Sequence, residues 1–270
     1  MKLRLATWNI NSVRLRIGLV ERLLKEHAPD VLCLQEIKCE SDLFPREAFA
    51  AAGYAHAVVR GQKGYHGVAT VSRFPLTEIV RHDLNGTGEA RHLAVNVVPK
   101  AKHKGLVVDN FYVPSGGDEP DRSANAKFGQ KLDYLAGMAR WMSAGAEGGT
   151  NRVAVGDMNV APLENDVWSH KKMLGIVSHT PVEVEAVAAV MAAGNWSDVM
   201  RRFVPETEKL YTWWSYRSAD WKVADKGRRL DHFWLNRKAT ARATAMTVLK
   251  DARGWEQPSD HVPVIVDFEV

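Results

Sequence analysis

Cysteine is nearly missing from this 270-residue chain, which carries only Cys33 and Cys39. A pair six apart matches no zinc-ligand spacing and builds no disulfide framework. A cystine-stapled secreted fold is therefore excluded, and a reducing cytoplasm is the expected setting. Long apolar runs are missing too. Nothing approaches the roughly 18–20 residues that a membrane helix needs, so no membrane partner is expected. The start, MKLRLATWNINS, lacks the basic region, apolar stretch and small-residue cleavage site of a signal peptide. No internal repeat, low-complexity tract or linker-like composition shift is visible, so residues 1–270 are expected to form one domain. What remains is an ordinary globular composition, 46% hydrophobic and 25% charged, which sets aside disordered and fibrous classes. The net charge of +4 tolerates a polyanionic partner without proving one, and the nine tryptophans can serve a core or base stacking.

Short runs rich in Val, Leu and Ile, bounded by Gly, Pro, Asn or Asp, read as strands. They cover 3–10, 30–36, 56–60, 67–73, 91–98, 105–113, 152–157, 230–236 and 262–270. One-face apolar spacing predicts helices over 13–27, 123–142 and 182–193, with Pro29 and Gly194 as stops for the first and last. Loops are expected at 61–67, 143–151 and 218–228. Many strands and few helices predict two sheets packed face to face, with helices outside. Nothing demands an oligomer, and a monomer is expected.

The informative polar residues sit at strand ends. Asn9, Glu36, Tyr112 and Asp157 each close an apolar run, whereas Asp231, and Asp260 with His261, each open one. If the second group of strands runs antiparallel to the first, one rim collects all of these together with Asn159. Taken one at a time, each has an ordinary explanation as a turn former, a solvated charge or a packed ring. Together they form crowded carboxylates that repel one another unless neutralised. A hard divalent cation, Mg²⁺ or Mn²⁺, is the natural remedy for oxygen ligands. An imidazole beside an aspartate becomes cationic and suits an anionic reacting group. Carboxylates, metal, amide, phenol and imidazole fit hydrolysis of a phosphate ester.

At these same positions the sequence resembles the exonuclease III family of AP endonucleases, within the endonuclease/exonuclease/phosphatase superfamily. The matching segments are TWNINSVR (7–14), DVLCLQEIK (30–38), KGYHGVATVSR (63–73), FYVPSG (111–116), GDMNVAP (156–162), YTWWSYRS (211–218), RRLDHFW (228–234) and SDHVPV (259–264). They follow the family's order and span the chain. The resemblance implies an α/β four-layer sandwich of two mainly antiparallel sheets flanked by helices, the deoxyribonuclease I-like fold. It also implies Mg²⁺-dependent cleavage of duplex DNA 5′ to abasic sites, with action at 3′ ends as exonuclease and phosphodiesterase.

Roles follow position by position. Glu36 is the implied principal metal ligand, with Asn9 and Asp260 nearby. Asp157 would activate or orient the attacking water, and Asn159 would hold a phosphate oxygen and help align Asp157. Tyr112 and His261 would hold the scissile phosphate, with Asp231 fixing the imidazole. Trp213, with Trp214 and Leu230 as neighbours, would line the pocket for an extruded abasic sugar. Lys38 and Arg217 would contact DNA, along with Arg14, Lys63, Arg73, Arg91, Lys171, Lys172 and Arg229. Three positions depart from the family pattern: Asn11, Ser115 and Arg228, the last standing where some members carry a pocket tryptophan. An exonuclease-dominant member, a phosphatase or phospholipase of the same fold, and a DNA-binding module without chemistry are the competing readings. The filled acidic and histidine positions argue against the last.

Overall fold

The computed structural model describes residues 2–99, 105–145, 151–218, 220–237, 239 and 241–270. In chain order the elements are β1 (Lys2–Asn9), α1 (Ile17–His27), β2 (Val31–Gln35), α2 (Arg46–Ala51), β3 (His56–Arg60), β4 (Val68–Ser72) and β5 (Leu76–Val80). Then come β6 (His92–Val97), β7 (Leu106–Tyr112), α3 (Ala126–Gly145), β8 (Arg152–Asp157), α4 (His170–Met173), α5 (Pro181–Ala193) and β9 (Trp196–Asp198). The chain continues with β10 (Trp213–Trp214), α6 (Trp221–Ala224), β11 (Gly227–Arg228), β12 (Asp231–Asn236), β13 (Arg242–Val248) and β14 (Val264–Glu269).

Two six-stranded sheets result, ordered β13-β14-β1-β2-β4-β3 and β5-β6-β7-β8-β12-β9, beside a small β10-β11 ribbon. Each sheet has one parallel pair at its centre, β1 with β2 and β7 with β8, and is otherwise antiparallel. A parallel pair needs a crossover, and α1 and α3 supply them on the outer faces. Alternate strand residues then fill three apolar layers. Leu5, Val31 and Cys33 meet Val95, Val155 and Phe233 between the sheets. Ala6, Trp8 and Leu34 pack outward on Val20, Leu23 and Leu24 of α1. Phe111, Ala154 and Trp234 pack outward on Tyr134, Leu135 and Met138 of α3 and Val187 of α5. This is the expected four-layer sandwich.

Register sets up the site. The central strands end side by side, Asn9 opposite Gln35 and Tyr112 opposite Asp157. The antiparallel neighbours begin at the same end, with Asp231 opposite Asp157 and Val264 opposite Thr7. One lip therefore carries the ends of four strands and the starts of two.

All nine expected strands form, but five others do not stand out in the sequence: β5, β9, β10, β11 and β13. Three of these are sheet edges, and β5 and β13 carry bulges and expose one face. A one-faced edge needs no continuous apolar run. The first helix starts at Ile17 rather than residue 13, because Asn11 and Ser12 adopt left-handed φ angles of 48° and 87°. The Ser12 amide is instead given to the Glu36 carbonyl (2.7 Å). The second helix starts at Ala126, where Asn125 accepts the Lys127 amide (3.0 Å), and runs to Gly145. Most of the expected 143–151 loop lies outside the described residues. The stretch 218–228, expected as loop, holds α6 and β11.

Candidate active site

The lip is built from sharp turns at strand ends. Gly156 adopts φ 127°, and a Cβ there would sit 2.0 Å from the Phe111 carbonyl oxygen, so only glycine lets β8 deliver Asp157. Among the described residues eleven non-glycines have positive φ, and six of these, Asn11, Ser12, Glu36, Lys38, His66 and Asn159, lie in lip loops. Backbone strain of this kind concentrates where geometry serves function.

Asp157 is the hub. Its Oδ2 accepts from Asn9 Nδ2 (2.9 Å) and Asn159 Nδ2 (3.2 Å), and its Oδ1 accepts from the Asn159 amide (2.9 Å). His261 Nε2 stands 3.6 Å from Asp157 Oδ2, while its Nδ1 meets Asp231 Oδ2 at 2.8 Å. Asp231 is fixed by Thr212, whose hydroxyl accepts the amides of Leu230 and Asp231 (3.0 Å each). Ser259 ties the His261 turn to the end of β1, donating to the Asn9 carbonyl (2.7 Å) and accepting the His261 amide (3.2 Å). The trio Asp157, Asp231 and His261 is buried, with ligand atoms within 4.8 Å of one another.

The electrostatics follow from this packing. Burial works against a charged His261, but Asp231 and Asp157 outweigh it and lift the imidazole to about 10. Burial also raises Asp157, to about 7, although His261 and the Asn9 amide pull the other way. Tyr112 lies on the same lip, and burial, with the Glu36 and Asp157 carboxylates beside it, holds its phenol neutral well above its ordinary value.

Glu36 faces the other side. Its Oε1 accepts from Asn9 Nδ2 (2.9 Å) and its Oε2 pairs with Lys38 Nζ (2.9 Å). Burial opposes its ionisation, but Lys38, the Asn9 amide and His261 hold its carboxyl below the ordinary value. The Lys38 ammonium also donates to Asn11 Oδ1, and Asn11 Nδ2 reaches Asp260 Oδ1 (3.3 Å). Carboxylate and amide oxygens from separate segments thus gather about one cationic headgroup. That donor set fits a hard divalent cation. The amide nitrogen of Asn9 points to both carboxylates, and its oxygen accepts the Asn11 amide (3.1 Å).

A cavity of about 540 Å³ opens beside this lip, lined by Tyr112, Asp157, Trp213, Arg228, Leu230 and His261 among others. Its volume suits a small ligand. A second hollow of about 370 Å³ adjoins it and shares Glu36, Tyr112 and Ser115. Trp213 is half-buried and donates its indole N–H to Asp260 Oδ2 (2.9 Å). Arg217 is exposed at the cavity mouth.

Several sequence expectations need correction. Trp214 turns away from the cavity into a cluster with Ala252 and Val262, and its indole donates to Asp225 (2.9 Å). Successive strand residues face opposite ways, so one of the two tryptophans must do so. Arg229 is fully buried and paired with Asp166 and Asp198 (2.7 Å each). Arg91 stacks under the Tyr112 ring, 4.7 Å from its centroid, and pairs with Glu89. Arg73 follows β4 at the sheet end opposite the lip, its amide bonded to the Asp30 carbonyl. Arg91 and Arg229 are thus engaged within the protein, whereas Arg73 is exposed but stands away from the lip. Arg14, Lys63, Lys171 and Lys172 are exposed.

The structure adds residues the sequence did not single out. Lys131 of α3 is fully buried and bonded to the Glu183 carboxylate, the Asn159 carbonyl (2.7 Å) and the Ser115 carbonyl (3.3 Å). It braces the two loops that carry Asp157 and Tyr112. A capping pattern, Thr180 with Glu183, was available in HTPVE, but nothing nearby announced Lys131.

Two mixed sheets flanked by helices, with an acid–imidazole lip beside a cleft, define a hydrolase of the nuclease class. The chain belongs to the Endonuclease/Exonuclease/phosphatase family, whose model matches residues 6–261. It is 28% identical to the exodeoxyribonuclease III of Haemophilus influenzae over 273 residues, covering 99% of this chain and 100% of that protein. An AP endonuclease structure from Archaeoglobus fulgidus superposes with a TM-score of 0.88 at 30% identity, covering 99% of this chain and 100% of that one. A 3′ phosphatase, NExo, from Neisseria bound to a product DNA hairpin superposes at 0.87, also with 30% identity, 99% of this chain and 100% of that one. Among the described residues no helix is long and apolar enough to cross a membrane.

Proposed function

We propose that this chain is a metal-dependent DNA-repair phosphodiesterase that cuts duplex DNA 5′ to abasic sites and acts on 3′ ends as exonuclease and phosphodiesterase. The observation that carries this reading is the convergence of Asp157, Asn159, Asp231, His261 and Tyr112 on one lip beside the Trp213 cavity. The product DNA in the Neisseria relative supports a DNA substrate. We further propose that residues 1–270 act as one domain and as a monomer, in the cytoplasm; the two free, buried cysteines agree with a reducing compartment.

In this reading Asp157 takes the proton of a water that attacks the phosphorus in line with the leaving O3′. Its raised pKa, about 7, matches a base working near neutrality. Asn159 and Asn9 aim the carboxylate through their amides. Cationic His261, oriented by Asp231, offers Nε2–H to the phosphoryl oxygen, where charge grows. Neutral Tyr112 offers its O–H to the same phosphate. Glu36 and Asp260, with Asn9 adjacent, would hold Mg²⁺ or Mn²⁺, which supplies charge neutralisation at the phosphate when bound. Trp213 and Leu230 would receive the extruded sugar, which has lost its stacking partner and so costs less to turn out than a base. Arg217, Arg14, Lys63, Lys171 and Lys172 would hold phosphates, with Lys38 displaced toward the DNA.

An exonuclease-dominant balance is the second reading. Arg228 in the cavity wall, rather than an aromatic residue, favours it. Digestion of a labelled duplex with one abasic site, beside an undamaged duplex and with and without EDTA, tests both. Incision at the abasic site that EDTA abolishes supports the first. Digestion from 3′ ends alone supports the second. Intact DNA in every lane contradicts both.

A further inference from the structure

Across β10 from the Trp213 cavity lies a separate hollow of about 260 Å³ that the proposed chemistry leaves unused. Trp214, Trp221 and Ala224 line it, and Ser215, Arg217 and Lys226 belong both to it and to the cavity. Successive residues of β10 face opposite ways, so Trp213 stands in the cavity and Trp214 in the hollow. The half-buried Trp221 ring meets Trp214 edge-on, with centroids 5.4 Å apart and planes at 61°. The buried Arg253 guanidinium lies 5.8 Å from the Trp221 centroid, and the exposed Lys222 ammonium lies 5.7 Å from it. The charge left around the hollow has one sign. Asp220 accepts the Lys222 and Val223 amides (3.1 and 3.0 Å), and Asp225 accepts the Trp214 indole (2.9 Å) and the Lys250 ammonium (3.0 Å). Arg217, Lys222 and Lys226 are exposed, and among the described residues none of them pairs with a carboxylate.

An indole wall held in place by its neighbours and flanked by free cations is the combination that holds single-stranded nucleic acid: bases stack on the ring while the cations take the phosphates. We infer that this hollow is a subsite for one unpaired nucleobase of the DNA bound at the lip, stacked on Trp221. This rests on the DNA phosphodiesterase reading above, in which a sugar turned into the Trp213 cavity leaves the duplex one base pair short. The hollow lies one strand away, on the other face of β10. Arg217 and Lys226 stand between the two spaces and hold the backbone that joins them. Lys222 is exposed, so its side chain moves aside for the base and meets the attached phosphate. Two bases have the required chemistry: the one opposite the abasic position and the one beside it on the cut strand. Stacking on an indole is tolerant of base identity, so the subsite does not read sequence. It favours DNA that already carries an unpaired base over intact duplex.

The test places 2-aminopurine, a fluorescent base that dims when stacked, either opposite an abasic site or beside it on the cut strand. Each duplex is saturated with protein in EDTA, so that nothing is cut. The wild type is expected to dim the probe at one of the two positions, which identifies the base that docks. Trp221→Ala is expected to leave that position brighter, and Trp221→Phe to restore part of the dimming. Trp221→Ala is also expected to weaken binding of the abasic duplex by about 5- to 100-fold, the worth of one base–aromatic stack, and to leave binding of a fully paired duplex unchanged. Equal brightness in wild type and Trp221→Ala at both positions, with the abasic duplex still bound, overturns the proposal and leaves the phosphodiesterase reading intact. No binding of either duplex, together with no abasic incision once Mg²⁺ is restored, overturns that reading and this one with it. Should Trp221→Ala fail to fold, Ala224→Glu sets a negative charge in the hollow at an exposed position. A larger loss of affinity for the abasic duplex than for the paired one is then expected, and an equal change in both overturns the assignment.

Discussion

Two buried aspartate–histidine pairs in this protein use the same residue types to opposite ends. Beneath α3, His92 Nε2 meets Asp109 at 3.2 Å, and Arg152 grips the same carboxylate through two bonds of 2.6 and 2.8 Å. Burial lowers the His92 pKa, and Asp109 does not recover it. Burial would raise Asp109, but Arg152 and His92 pull it down to about 2. At the lip, His261 meets Asp231 at 2.8 Å, among the described residues no arginine pairs with that carboxylate, and Asp157 adds a further acid. There the imidazole is the cation, lifted to about 10. A guanidinium turns one pair into a brace with a neutral histidine. Its replacement by a second acid makes the other pair an acid–base device.

Breaking the lip pair at its hub has the largest expected effect. Asp157→Asn removes the base and lowers kcat by about 10²–10⁴-fold, with DNA affinity retained in a filter-binding assay. Unchanged turnover would remove Asp157 from the chemistry. Breaking the other pair moves stability instead. Arg152→Met strands the Asp109 charge and costs about 3–5 kcal/mol of unfolding free energy, read from urea midpoints, while kcat per folded molecule holds. Because the folded pKa of Asp109 is depressed, this deficit is full above the unfolded carboxylate range. It fades as pH falls toward about 2. A deficit that grew on acidification would contradict the assignment.

Asp231→Asn sharpens the comparison by taking one acid from the lip. The His261 pKa then falls, so the alkaline decline of kcat/KM moves to lower pH, and the rate at its optimum drops roughly 10–100-fold, as for an orienting partner. An unmoved alkaline limb would show that His261 draws its charge from elsewhere. The smallest effect belongs to the pocket. Trp213→Ala is expected to lower abasic incision about tenfold, the worth of roughly 1.5 kcal/mol of apolar contact. Exonuclease digestion of an undamaged duplex should change less. Equal loss in both assays would point to damage at Asp260, its hydrogen-bond partner.

The layers and the lip were legible in the sequence because they rest on local signals. Short Val- and Leu-rich runs such as VLCLQ and RVAVGD, bounded by turn residues, read as buried strands, and their polar ends meet at one edge once the strand directions are set. The edge strands over 76–80 and 242–248 were not legible, since an edge buries a single face. Nor was the allotment of arginines. Arg91, Arg228 and Arg229 look alike in sequence, yet one braces Tyr112, one lines the cavity and one is sealed beside Asp166. Which cation meets which acid is decided across the sheets, far from any local pattern. The same holds for Lys131, whose partners lie 16, 28 and 52 residues away.

Incision of a duplex with one abasic site in ¹⁸O-enriched water, followed by mass spectrometry of the fragments, tests the central chemistry most directly. Water attack on phosphorus at Asp157 places one ¹⁸O in the 5′-phosphate of the abasic fragment and leaves the new 3′-hydroxyl unlabelled. A strand break whose phosphate carries no label, as elimination at the sugar would give, contradicts the hydrolytic role of the lip.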